Sequence, residues 1–384
     1  MAFDKKEKKK KFAWQQYIGI AFMILVGAVC GFVTVSYLDG VPEDAPLHQE
    51  ILSLLGIFLG LYAALFFHII VHEAGHLVFG LLTGYKFCSF RIASFMWLKE
   101  NGRIQRKRLT LSGTGGQCLM SPPDMKDGKI PLVLYNLGGS FLNIIFGALF
   151  SVGYLLFSGV PFLSPFLLML AVVGFMTALI NGVPMRMGTV DNDGYNAFAL
   201  SRNKAAVEAF WIQLKAVEQT ARGVRLKDMP AEWFAVPTDE AMKNSMVATR
   251  GVFACNRRMD EERFQEADAL MAHLLAIDSG MVGLHRNLLI CDRIYIELLG
   301  ECRRDVIEGM MTKEQVKFMK AMKRFPSVLR TQYALALFLE KDTQKAEAVK
   351  REFEKVARTY PYPHEMDSER ALMQIAEKTV TREQ

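Results

Sequence analysis

Polar and apolar positions are unevenly distributed. Before about residue 185 the apolar ones gather in long blocks; after about residue 195 they recur at helical spacing among charges. Four blocks, residues 14–38, 51–83, 131–157 and 162–183, are long enough to cross a bilayer, which takes about 20 apolar residues. The third carries Asn136, Asn143 and several glycines, so it is expected to face protein rather than lipid. Between the second and third blocks, residues 85–97 have strand composition and residues 104–111 suggest a second strand. Gly113, Gly115 and Gly116 then break the pattern. We read a small sheet at, or dipping into, the inner membrane face.

The region after residue 195 predicts amphipathic helices. Residues 326–361 form the clearest pair, a small-residue-rich helix, a polar turn and an amphipathic second helix. Residues 261–299 show a related pattern. These pairs are either degenerate tetratricopeptide-like hairpins or an ordinary helical bundle. The expected fold class is an α-helical multi-span membrane protein of about four transmembrane helices with a small membrane-associated β-sheet, followed by an all-α C-terminal domain. The expected units are a basic N-terminus (1–13), a first transmembrane anchor (14–38), a membrane core (51–194) and a cytoplasmic helical domain (195–384).

Composition agrees with this division. Of the 384 residues, 51% are hydrophobic, which excludes a disordered chain. Mean hydropathy is +0.15, high for a water-soluble enzyme. Much of the net charge of +6 comes from a lysine cluster at positions 5–11, read as a cytoplasmic anchor rather than a nucleic-acid arm because an apolar span follows it. Residues 39–50 hold acids and no Lys or Arg, so they face outward. Residues 84–130 hold Lys86, Arg91, Lys99, Arg103, Arg106, Lys107, Arg108, Lys126 and Lys129, so they face inward. Both termini are then cytoplasmic. The six cysteines form no CxxC pair and point to a reducing compartment. The start reads as a retained signal anchor rather than a cleavable signal peptide.

The chemistry lies in the second block, where His72-Glu73-Ala74-Gly75-His76 forms H-E-x-x-H. Residues four apart share a helix face, so His72 and His76 can bind one metal, with Glu73 beside them as general base. Zinc lowers the pKa of a bound water to about 7. Imidazoles and a carboxylate inside an apolar span are costly and are usually functional. His68 lies on the same face but about 12 Å from His76 along the axis, too far for the same ion. It is expected to be a supporting or packed residue. The fourth block ends in a Pro and Gly turn carrying Asp191 and Asp193, on the same side of the membrane as the histidines. Either aspartate can complete a His-His-carboxylate site.

At these positions the chain resembles the site-2 protease family, the M50 intramembrane zinc metalloproteases. That family pairs HExxH with an N-x-x-P…D-G motif on a later helix, matched here by Asn181, Pro184, Asp193 and Gly194. The resemblance implies that Asp193 is the third ligand of one zinc ion, with Asp191 the weaker alternative because the interval after Pro184 is long. Residues 136–143 look like the family's G-P-x-x-N segment, with Gly139-Ser140 in place of Gly-Pro. The resemblance implies that Asn143 reaches the site to bind substrate backbone or oxyanion, or else serves helix packing. Asn181 is assigned a structural or substrate-clamping role.

The resemblance covers residues 51–200 and implies a zinc metalloendopeptidase of the bacterial plasma membrane that cleaves membrane-anchored peptides or proteins. An unwound substrate is expected to pair with the sheet edge between residues 87 and 111. The C-terminal domain is expected to recruit or gate substrates or to bind a cytoplasmic protein. The competing reading is a membrane scaffold with a vestigial or structural zinc site. No nucleic-acid partner is expected.

Overall fold

In the computed structural model, residues 24, 31, 46–100, 102–110, 115–185, 191–201 and 203–383 are described. The expected first anchor therefore lies outside the described residues, apart from positions 24 and 31, as does the lysine cluster. Among the described residues, 3 helices are long and apolar enough to cross a membrane. They are α1 (Leu47–Leu82), α2 (Leu132–Leu156) and α3 (Leu163–Gly182), matching the second, third and fourth blocks. Helix α1 ends where the Thr83 hydroxyl turns back on the Phe79 carbonyl at 2.7 Å. Gly84, at φ +88, then reverses the chain into the sheet. Helix α3 stops two residues before Pro184, as a helix must ahead of a proline.

The sheet has four antiparallel strands, β1 (Lys86–Ile92), β2 (Phe95–Glu100), β3 (Arg103–Arg108) and β4 (Gly116–Ser121), in the order β3-β2-β1-β4. Of the glycines expected to break the second strand's pattern, Gly113 lies outside the described residues, while Gly115 leads into β4 and Gly116 opens it. This strand forms because its partner β1 and helix α1 supply the pairing and packing that its own sequence does not advertise. The register gives the sheet two distinct faces. Gly116, Cys118 and Met120 share one face with Ile92, Phe90, Phe95 and Trp97. On this face β4 lies along the C-terminal half of α1, with Gly116 against Glu73 and Met120 against Gly80. The other face carries Ser89, Arg91, Met96 and Leu98, all buried.

The remaining chain is helical: α4 (Asp193–Ser201), α5 (Lys204–Ala221), α6 (Ser245–Asp260), α7 (Phe264–Ala276), α8 (Gly283–Leu299), α9 (Arg304–Met310), α10 (Lys313–Ala321), α11 (Pro326–Ala334), α12 (Thr343–Ala357) and α13 (Pro363–Glu383), with short 3-10 turns before α6. The helix pair expected over residues 326–361 is present. Helix α11 has Pro at its first position, continues through a π turn (Leu335–Leu339), and packs on α12, which Asp342 caps by accepting from the Lys345 amide at 2.9 Å.

These helices do not stand apart from the membrane core. Tyr85, Cys118, Met120 and Tyr135 share one buried cluster with Leu200, Phe210, Leu289 and Tyr295. Met96 and Leu98 of β2 are buried with Leu329, Tyr333, Phe353 and Tyr360. Burying side chains of this size contributes about 1.5–3 kcal/mol each. The tail thus covers the sheet face opposite α1, and the Tyr362 hydroxyl bonds Ser89 of β1.

Candidate metal centre

Helix α1 carries His72, Glu73 and His76 on one buried face, as the four-residue spacing requires. The facing helix α2 comes unusually close. A Cβ on Gly75 would collide with the Gly138 carbonyl, and one on Gly139 would lie 2.5 Å from the His72 ring. Glycine at these places lets the two backbones touch, so that the histidines are fixed by packing.

The carboxylate arrives from the turn after α3. Asp193 Oδ2 lies 2.9 Å from His72 Nε2 and 3.4 Å from His76 Nε2, and the two Nε2 atoms are 3.2 Å apart. A tetrahedral zinc centre with bonds of about 2.0–2.2 Å separates its ligand atoms by about 3.3 Å. The three atoms therefore stand at the spacing of one ion's ligand shell. Asp191 is not part of this cluster. Burial works against charge on Asp193, but the facing His76 and His72 rings outweigh it and hold the carboxyl below the usual range.

Asn192 makes the aspartate's position. Its Oδ1 accepts from the Met185 amide at 3.0 Å and the Tyr195 amide at 2.9 Å, and its Nδ2 donates to the carbonyls of Ile180 at 2.7 Å and Val183 at 2.6 Å. One side chain thus caps α4 and pins the turn to the open end of α3. Gly194 presses against the Gly182 carbonyl so closely that any Cβ would collide with it. The D-N-D-G run shows Asn192 in the sequence, but its clamp role depends on carbonyls 9 and 12 residues away.

Hydrogen bonds to backbone carbonyls fix the imidazole protons. His76 Nδ1–H donates to the Tyr135 carbonyl at 2.8 Å, leaving the Nε2 lone pair toward Asp193. His68, fully buried, donates Nε2–H to the Leu170 carbonyl at 2.8 Å. The neutral His68 ring then offers only a lone pair at Nδ1. The Asn143 amide sits between the rings, one end 3.2 Å from His68 Nδ1 and the other 3.3 Å from His72 Nδ1. The structure places Oδ1 toward His68 and Nδ2 toward His72; the proton order set by the Leu170 carbonyl calls for the amide turned over, its NH2 donating to His68 Nδ1 and its oxygen accepting from His72 Nδ1–H. Both rings are then satisfied and His72 Nε2 is free to bind a cation. His68 is thus tied to the site through Asn143, not as a ligand.

The remaining expected residues fall as follows. Asn143 reaches the site, with its amide engaged by the two imidazoles. Asn181 donates to the Thr177 carbonyl of its own helix at 3.0 Å. Glu73 is buried against Gly116, where a Cβ would fall 2.5 Å from the carboxylate. The strand beside Glu73 is therefore β4, which lies outside the 87–111 interval expected to offer the edge; β3, at the other edge, is remote from the site. Arg91, also buried, donates to the carbonyls of Ala93 at 2.6 Å and Gly116 at 3.1 Å, tying the tip of the β1–β2 hairpin to the strand that walls Glu73. Comparison of the chain with family models, with curated proteins and with solved structures found no match.

Proposed function

We propose that the chain is a zinc-dependent intramembrane endopeptidase of the site-2 protease type, acting on membrane-anchored peptides or single-span proteins near the cytoplasmic face. The observation that carries the reading is a carboxylate with no metal-ligand duty, Glu73, set beside three converging ligand atoms. A structural metal site needs no such base, which weighs against the scaffold reading.

One zinc ion held by His72, His76 and Asp193 supplies a Lewis acid that makes water a usable nucleophile near neutral pH. Glu73 takes the proton of the attacking water and returns it to the leaving amine. Asn143 and the Tyr135 carbonyl keep both imidazoles aimed at the metal position. If Asn143 also binds substrate, as the resemblance implies, its bond to an imidazole has to open first. A substrate helix hides its amides, so it unwinds and adds as an extended strand beside the Glu73 wall, with β4 the nearest edge. The C-terminal helices, read as tetratricopeptide-like hairpins or as an ordinary bundle, recruit or gate substrate. In this reading both termini are cytoplasmic and the membrane is a bacterial plasma membrane.

The test is quantitative membrane proteomics on cells carrying wild-type protein or Glu73→Gln, with bound zinc measured on both. Single-span proteins that accumulate intact only in the variant establish proteolysis and name the substrates. Full processing by a zinc-loaded Glu73→Gln protein would sink the mechanism.

A further inference from the structure

The β2–β3 hairpin projects beyond the part of the sheet that α1 covers. Its two faces differ sharply. On the face shared with α1, Phe95, Trp97 and Lys99 stand opposite Arg108, Arg106 and Ile104. All six are exposed, the apolar ones at 42% for Phe95, 39% for Trp97 and 56% for Ile104. This face holds three cations, three large apolar groups and no acid. The hairpin's one acid, Glu100, points to the opposite face, where it pairs with Lys107 at 3.7 Å. That opposite face is the one the C-terminal helices cover through Met96 and Leu98.

The depth of the patch follows from the register. Helix α3, with 20 residues, is about 30 Å long, the thickness of the hydrocarbon layer, and its inner end abuts Gly194 beside the metal position. Helix α1 runs on past this point with exposed apolar Val78, Leu81 and Leu82, so the inner boundary of the layer falls between Glu73 and Leu82. Gly116 touches Glu73 and pairs with Ile92; Ile92 pairs with Phe95, and Phe95 with Arg108. Phe95 and Arg108, the Arg108 guanidinium 5.2 Å over the Phe95 ring, thus stand level with Glu73, where the zone between hydrocarbon and headgroups begins. Trp97 and Arg106 share the next level toward the headgroups, and Lys99 and Ile104 the one beyond. Aromatic rings beside cations suit that zone, because the ring sits among ester groups while the cation reaches phosphate.

We propose that this face of the β2–β3 hairpin binds anionic phospholipid headgroups of the inner leaflet. The proposal rests on α1, α2 and α3 spanning the membrane and is independent of any catalytic activity. Bound lipid holds the hairpin against the bilayer while its other face carries the C-terminal helices, so the sheet acts as a bracket between membrane and tail.

The experiment is native mass spectrometry of the full-length protein in detergent, titrated with phosphatidylglycerol and, separately, with phosphatidylcholine. Wild type is expected to retain phosphatidylglycerol preferentially. Arg106→Gln/Arg108→Gln should weaken that retention roughly 30-fold, the factor expected from two cations at a charged surface. Lys107→Gln, on the covered face, should leave it unchanged, and Arg106→Lys/Arg108→Lys should keep most of it. Hydrogen exchange in nanodiscs supplies the second readout: amides 103–108 should be protected by phosphatidylglycerol and not by phosphatidylcholine. Equal retention of both lipids, or an undiminished preference in the double Gln variant, overturns the proposal. So does protection that appears only on adding an acidic peptide, which would make the face a protein-docking surface.

Discussion

Among the described residues, two clusters of buried ionisable side chains are built on opposite plans. In the C-terminal helices Arg330, 1% exposed, donates to Asp292 at 2.5 Å, pairs with Glu369 at 3.1 Å and stacks 4.5 Å over the Tyr295 ring. Its acids face a permanent cation supplied by the chain. At the metal centre Asp193 faces two imidazoles whose outer nitrogens are already engaged and whose inner nitrogens converge on it. The first cluster is closed by a guanidinium. The second brings its donor atoms together around a position that could hold a metal ion. Buried charge alone does not mark a functional site; what distinguishes one is convergent donor atoms without a resident counter-ion of their own.

The largest expected effect follows from the one group at the second cluster that is not a ligand. Glu73→Gln should retain zinc within the error of elemental analysis and lose cleavage by at least about 100-fold, the usual contribution of a positioned general base. Metal loss with the same variant would break the distinction between ligand and base. Next in size, Arg330→Met should destabilise the protein by about 3–5 kcal/mol in chemical denaturation, because Asp292 and Glu369 are left buried without a cation. Protein that still folds should hold its zinc normally. If zinc is lost in step with Arg330, the two clusters are not independent.

Smaller effects are expected among the supporting groups. Asn192→Ala should weaken zinc binding by about 10–100-fold and remove a cap whose loss costs about 1 kcal/mol. His68→Ala and Asn143→Ala should each weaken zinc binding by a similar factor, read in a competition with a fluorescent chelator. If the proton order derived from the Leu170 carbonyl is right, His68→Gln, which can present an oxygen at the same place, recovers part of the loss, and combining His68→Ala with Asn143→Ala costs little more than either change alone. Independent, additive losses would refute that relay. The smallest effect is expected at Asn181, whose visible bond stays within its own helix. Asn181→Ala should leave zinc affinity unchanged, and any fall in cleavage then reports a contact with substrate.

The legible parts of the structure were those set by local periodicity. The three spans and the α11–α12 pair follow from apolar spacing, and His72 and His76 meet because four residues return to the same helix face. Asp193 was indicated only through the D-G of the family motif; the residues alone left Asp191 equally open. The fourth strand was not legible. Its leading glycines argue against a strand, and only long-range pairing with β1 and the close passage of α1 explain it. Nor was the joining of tail and sheet, since Met96 and Leu98 carry no sign that they will be buried by Tyr333 and Phe353 more than 200 positions later.

That joining has a consequence for synthesis. The covered face of the sheet is built from residues 89–98, but what covers it, from Leu329 to Met373, leaves the ribosome more than 200 residues later. Until then Met96 and Leu98 have nothing to pack against, and the strands that hold Gly116 beside Glu73 lack half their support. The HExxH helix can insert early, yet the sheet beside it is fully supported only once the C-terminal helices have been made. In the proteolytic reading this order delays activity until those helices are made, which protects neighbouring nascent spans at the insertion site from a half-built protease.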